Sequence, residues 1–287
     1  MPIVNIRDSN FIKIKSLKKE YLKSFCELYN INFSTKNITE TISTILHNFD
    51  NGKISTNDIN SFIRKLYISL RNDEMNDTGA THQEIIKELN KVDSHIWGMV
   101  QGDVDSHIQS NYVRKFYKYD EVVNAIRAGL YGSIESYTLS SWYNHWSTIF
   151  LEDLIDENEN VIPIIKKVKG VDIIWNEQPV DIKVTNLPKE WFKSGYDIDY
   201  AINNPKMVCK YMYELQGAQR FGDDNRLFII IYDKNRPEES WKIKRDYSLI
   251  KSKIDDFFNQ KIELDAINFK YGNNQYLAHS KVMFILK

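Results

Sequence analysis

Near residue 160 the chain changes its hydrophobic period. Upstream, apolar residues recur three and four apart: Leu17, Tyr21, Phe25 and Leu28; then Ile38, Ile42, Ile45 and Leu46; then Trp142, Trp146, Ile149, Phe150 and Leu154. Downstream they gather in short β-branched runs, VIPIIKKVKG, VDIIW, VDIKVT and RLFIIIYD, with a closing YLAHSKVMFILK. A helical stretch, NPKMVCKYMYELQGAQRF, separates the third run from the fourth. The two periods do not interconvert, so helices come first and an α/β core follows. The expected fold class is α/β (α+β): a mixed β-sheet flanked by helices, preceded by an N-terminal helical region.

The chain has 287 residues, enough for one large domain or two ordinary ones. The polar stretch 71–82, RNDEMNDTGATH, predicts a linker, and the division expected from it is 1–80 and 81–287. Ser55, Thr56 and Asn57 read as N-cap material before DINSFIRKLYISL. The neighbouring DNGKISTND invites a calcium-loop reading, but placing Gly52 at the sixth loop position puts Phe49 at a ligand position. A capped helix start after a turn is expected instead.

Two cysteines, Cys26 and Cys209, are too few and too isolated for a zinc site or a disulfide framework, which predicts a reducing, cytoplasmic setting. The charged N-terminus is not that of a signal peptide, and no apolar run approaches the roughly 18–20 residues of a membrane span. The net charge of −1 does not advertise nucleic acid, yet a neutral protein can still line one cleft with Lys and Arg.

The stretch GVDIIWNEQPVDIKVT puts Asp172, Asp181 and Lys183 into strands that are otherwise apolar. With NEQP as the turn, Trp175 faces Val180, Ile174 faces Asp181 and Asp172 faces Lys183. Alternate and paired residues share a face, so Asp172, Ile174, Asp181 and Lys183 fall together. The two aspartates are then diagonal neighbours, roughly 7–8 Å apart at Cα. At that spacing they can share one divalent cation with a backbone carbonyl, that of Ile182. Phosphodiester hydrolysis needs charge neutralised at phosphorus and on the leaving oxygen, and Mg²⁺ with hard oxygen ligands does this. A lysine beside it can orient the attacking water and stabilise the transition-state charge. Glu152, on the preceding helix, is the natural further carboxylate. As a bare D-x-K, the motif would more often be a solvated salt bridge. The apolar flanks argue against that, because buried carboxylates without partners are costly.

The order Glu152, Asp172, then Asp181–Ile182–Lys183 resembles the PD-(D/E)XK nuclease superfamily, to which many type II restriction endonucleases belong. KGVDIIWNEQPVDIKVTNLP carries the likeness, and YELQGAQRF and RLFIIIYD continue it; it spans residues 141–233, with Val171 where the family's proline would stand. The resemblance implies a PD-(D/E)XK core within 81–287. It implies Mg²⁺, with Mn²⁺ as a substitute, and site-specific cleavage of double-stranded DNA by a bacterial homodimer. Residues 1–80 would contact DNA or mediate dimerisation. In this reading Asp172, Asp181 and Ile182 hold the metal, Lys183 activates water, and Glu152 supports the metal or the lysine. Two alternatives are a nuclease of repair, transposition or phage defence, and a DNA-binding module with a decayed core.

Further residues are weighed beside these. Lys166, Lys167 and Lys169 precede Asp172, and Lys189 and Lys193 flank Trp191 and Phe192. The first set reads as a backbone-contacting patch or as an ordinary solvated edge, the second as a groove wall or as simple packing. Gln216, Gln219 and Arg220, on the helix after the hairpin, reach phosphate or simply face solvent. Glu135 looks like a helix-end or loop residue and ranks behind Glu152. Asn144 and His145 lack the rest of a histidine-based nuclease motif, so helix packing is expected of them.

Overall fold

The structure, a computed structural model, describes residues 3–78, 81–93, 101–216, 225–260 and 263–287. It divides into two compact units: Met1–Gly79 with Glu152–Lys287, and Ala80–Leu151. One boundary between the units lies at 79/80, and the N-terminal helices fall in the same unit as the sheet.

The first unit begins with α1 (Ile6–Lys15), α2 (Lys19–Leu28), α3 (Ile38–Asp50) and α4 (Thr56–Thr78). The supposed linker is helical up to Thr78, because α4 simply continues. Ser55 caps α4: its hydroxyl accepts from the Asp58 N–H at 3.2 Å, while the Asp58 carboxylate accepts from the Ser55 N–H at 2.7 Å. Gly52, at φ +70°, ends the preceding helix, so DNGKISTND is the turn and helix start that was expected.

In the second unit lie α5 (His82–Leu89), α6 (Gln101–Ile108), α7 (Tyr119–Ala125) and most of α8 (Tyr131–Asp156). Wide π-type turns occupy Gln109–Val113 and Ile126–Leu130. Glu135 lies inside α8 and not at a helix end or in a loop. His145 packs its ring edge-on to Trp146, at 5.4 Å. The final residues of α8, from Glu152, belong to the first unit.

Next come β1 (Val161–Val168), β2 (Val171–Trp175), β3 (Gln178–Thr185), α9 (Lys189–Lys193), α10 (Ile198–Asn203), α11 (Pro205–Gln216) and β4 (Asn225–Tyr232). A 3₁₀ segment, Pro237–Arg245, then α12 (Tyr247–Phe258), β5 (Asp265–Tyr271) and β6 (Asn274–Leu286) complete the chain. The described strands form one mixed sheet in the order β1-β2-β3-β4-β6-β5. β1, β2 and β3 are an antiparallel meander; β4 is parallel to both β3 and β6; β5 returns antiparallel. Strand β4, RLFIIIY after Asn225, is apolar without alternation because it is buried on both faces. Strand β5 was not among the expected strands: as an edge strand it alternates buried Ile267 and Phe269 with exposed Asn268 and Lys270, and so lacks a β-branched apolar run.

Two apolar layers cover the same sheet face at opposite ends. Phe25, Ile45, Ile59 and Ile63 from the N-terminal helices pack with Ile162 and Ile174 of β1 and β2. Trp191, Ala201, Val208 and Tyr213 pack with Phe228, Ile230, Ile267 and Val282 at the β4–β6–β5 end. The pairing puts Ile174, Pro179, Asp181, Arg226 and Phe228 on that face. On the opposite face Trp175 meets Phe257 and Phe258 of α12, both at 5.3 Å.

The last turns of α8 are tied to α4 by ions. The Asp153 carboxylate accepts from Tyr67 Oη at 2.9 Å and from Arg71 Nε at 2.9 Å, with Arg71 Nη2 closing a second contact. Both partners of this pair are largely buried, with side chains 13% and 10% exposed. Asp153→Ala removes the buried partner of Arg71, which keeps Glu74 at 2.7 Å, and is expected to cost about 2 kcal/mol. The check is the urea midpoint, which should fall at unchanged m-value.

Candidate active site

The β2–β3 hairpin closes through two residues, not four. Trp175 pairs with Gln178, Ile174 with Pro179, and Ile173 with Val180. Asn176 and Glu177 both adopt left-handed conformations, φ 48° and 61°, the signature of a type I′ turn. The expected partners, Trp175 with Val180 and Asp172 with Lys183, are therefore corrected by two residues. Both loops are even in length, so the expected face survives: Asp172, Ile174, Asp181 and Lys183 still lie together. The register now sets Asp172 across from Asp181, closer than the diagonal placement.

At that point β3 changes partner. Its pairing with β2 runs from Gln178 to Val180, and its parallel pairing with β4 from Asp181 to Thr185. The Asp172 carboxylate takes over the missing ladder bond, accepting from the Ile182 N–H at 2.7 Å. One residue's N–H and C=O leave an extended strand on the same edge. The Ile182 carbonyl therefore points toward β2 and Asp172. The face is partly buried: Asp172 is exposed, while Asp181, Ile182 and Lys183 are half-buried.

Glu152 reaches this group from α8. Burial, and then the Asp172 and Asp153 carboxylates, push its pKa from 4.5 up to about 7. Asp156, one turn further on, has a buried carboxyl whose pKa is driven well above the ordinary range, first by burial and then by Asp153 and Glu152. An acidic side thus faces the hairpin. The other side is basic. Arg226, 5% exposed at its side chain, donates from Nε to Asp181 Oδ2 at 2.6 Å. Its guanidinium lies over the edge-to-face pair Tyr213 and Phe228, 5.9 Å from each ring centre. Lys244, on the 3₁₀ segment after β4, has its pKa lowered to about 8 by burial and then by the nearby charge of Lys183. Sequence reading passed over Arg226 and Lys244. Arg226 opens the apolar run of β4, the same signal that singled out the hairpin aspartates; nothing local marks Lys244.

These residues suit a hard divalent cation. Glu152 and Asp172 repel one another, the Ile182 carbonyl is turned to the same edge, and all are oxygen donors. Asp181 joins such a set only by sharing its carboxylate with Arg226 or releasing it. Among the described residues no three His, Cys, Asp or Glu side chains already converge at metal-binding distances. The basic residues expected to line DNA fare differently. Lys166, Lys167 and Lys169 are exposed around the β1–β2 turn, at the Asp172 end of β2. Lys189 and Lys193 are exposed on α9, but Trp191 between them is fully buried packing and Phe192 stacks on Tyr232. Gln216 ends α11, its side chain lies outside the described part, and Gln219 and Arg220 lie outside the described residues.

The raised pKa of Glu152 fixes the sign of a pH effect. Its folded value, about 7, exceeds its unfolded value near 4.5, so its contribution to stability is full below pH 4.5 and is lost as pH rises through 7. Metal-free protein should melt at lower temperature at pH 8 than at pH 5.5. Glu152→Gln should raise the pH 8 melting temperature by about 3 °C and flatten that fall, read by calorimetry with chelator present.

No protein-family model, curated protein or solved structure matches this chain.

Proposed function

We propose that this protein is a divalent-cation-dependent nuclease of the PD-(D/E)XK type. It hydrolyses phosphodiester bonds in double-stranded DNA at a specific sequence, as a type II restriction endonuclease does. The observation that carries the reading is the common face of Asp172, Asp181 and Lys183 on the β2–β3 hairpin, with Glu152 near enough for the Asp172 charge to raise its pKa. The order of α8, the β1–β3 meander, α9–α11 and parallel β4 supports it, since the resemblance implies helix, strand pair, helix, strand.

A bound Mg²⁺ would supply charge neutralisation and an acidified water. Glu152, Asp172 and the Ile182 carbonyl would hold it, with Asp181. The chain's own groups do the rest. Lys183 orients and helps deprotonate the attacking water. Lys244, close to Lys183, adds positive charge where the scissile phosphate enters, and Arg226 holds the Asp181 carboxylate in place. Exposed Lys166, Lys167 and Lys169 sit where flanking phosphates would pass. Cutting both strands favours a homodimer.

The Arg226–Asp181 pair favours a second reading, a DNA-binding module with a decayed core in which an arginine has taken the metal's role. Supercoiled plasmid separates the two. The nuclease linearises it with Mg²⁺ or Mn²⁺ and not with EDTA, and Lys183→Ala or Asp181→Ala lowers the rate by about 10²–10³. Binding without cutting, over several plasmids and both metals, selects the decayed module.

A further inference from the structure

The tip of the β2–β3 hairpin is gripped by the N-terminal helices through an unusual set of bonds. Glu177 occupies the second left-handed position of the turn, where glycine is the favoured residue and a glutamate is strained. Its carboxylate accepts from Lys13 Nζ, from Ser9 Oγ at 3.1 Å and from Asn60 Nδ2 at 3.2 Å. Lys13 is wholly buried, and its ammonium also reaches Asn10 Oδ1 at 3.2 Å. The next residue, Gln178, binds Val4 twice: the Val4 N–H donates to its Oε1 at 2.8 Å, and its Nε2 donates to the Val4 carbonyl at 3.1 Å. Burying a lysine is costly unless something is gained in return, and fixing register is the best-attested gain.

Register is what this hairpin leaves open. A two-residue turn at Asn176–Glu177 and a four-residue turn at NEQP present the same side chains to the same face, so the apolar pattern does not choose between them. They differ in what meets. The four-residue turn pairs Asp172 with Lys183. The observed turn sets Asp172 across from Asp181 and lets its carboxylate reach the Ile182 N–H. In the observed turn Glu177 is the second loop residue, with its carboxylate on Lys13, and Gln178 is already in the strand, paired with Trp175 and bonded to Val4.

We infer that Lys13 is a positioning residue: through Glu177 it selects the hairpin register that brings the two aspartates together, and so controls the affinity of the site for its cation. The cation rests on the nuclease reading; the register does not.

Lys13→Met in the full chain tests both. Three quantities are read: amide exchange at Ile182, the dissociation constant for Mn²⁺, and kcat against KM on plasmid DNA. The inference expects faster exchange at Ile182 and about 10- to 100-fold weaker Mn²⁺ binding, the usual range for residues that orient ligands. It also expects a similar loss in kcat with KM within about twofold. The charge swap Lys13→Glu with Glu177→Lys should restore part of each. A folded Lys13→Met protein with native Ile182 protection overturns the inference, since the pair is then only packing. If Lys13→Met does not fold, Glu177→Gln is measured in its place under the same criteria. A wild-type protein that neither binds Mn²⁺ nor cuts DNA sinks the nuclease reading, while Ile182 exchange still decides the role of Lys13.

Discussion

Strand β3 does not pair with both neighbours along its whole length, and the site lies where one pairing gives way to the other. It is antiparallel to β2 up to Val180 and parallel to β4 from Asp181. The β2–β3 ladder thus ends before Asp172 and Ile182. A backbone N–H at such a fork needs an acceptor. The Asp172 carboxylate provides it, which fixes the orientation of the carboxylate and turns the Ile182 carbonyl to the same edge. The fork also sits between two helical layers, one over β1–β2 and one over β4–β6–β5, so the middle of this face stays accessible.

Charge is sorted across that opening. Glu152, Asp153, Asp156 and Asp172 stand on the α8 side; Arg226, Lys183 and Lys244 stand on the β4 side. Burial first, and then the like charges beside them, raise the pKa of Glu152 and lower that of Lys244. A fold selected for stability alone would mix the signs. Groups gathered in this way have shifted pKa values and lower stability, as perturbed groups at functional sites do.

The N-terminal helices contribute more than bulk to this arrangement. Arg71 and Tyr67 of α4 hold Asp153, and so the turn of α8 that presents Glu152. Lys13, Ser9 and Asn60 hold the hairpin tip. The region that sequence reading set apart as a separate helical part is thus continuous with the sheet in packing. Residues 80–151 form the other compact unit, built largely of helices with its own buried Ile85, Leu89, Tyr143 and Phe150.

The helical half, the strand-rich half and the common face of Asp172, Asp181 and Lys183 were legible in the sequence, because period and parity are local properties of the backbone. Any even turn gives the same parity, so the face could be read without knowing the loop. The identity of the cross-strand partner could not be read. It depends on Glu177 meeting Lys13, far away in the chain, and on a left-handed turn that a glutamate does not advertise. Arg226 and Lys244 reach the site by way of strand order and a 3₁₀ segment, and no linear spacing encodes either. Helix α4 runs on through its polar stretch because it packs on β1 and binds Asp153, where composition alone suggested a linker. What the sequence by itself determined was which residues share a face. Which of them touch was decided only by the tertiary structure, because burial and long-range ion pairs choose among registers that local chemistry leaves equivalent.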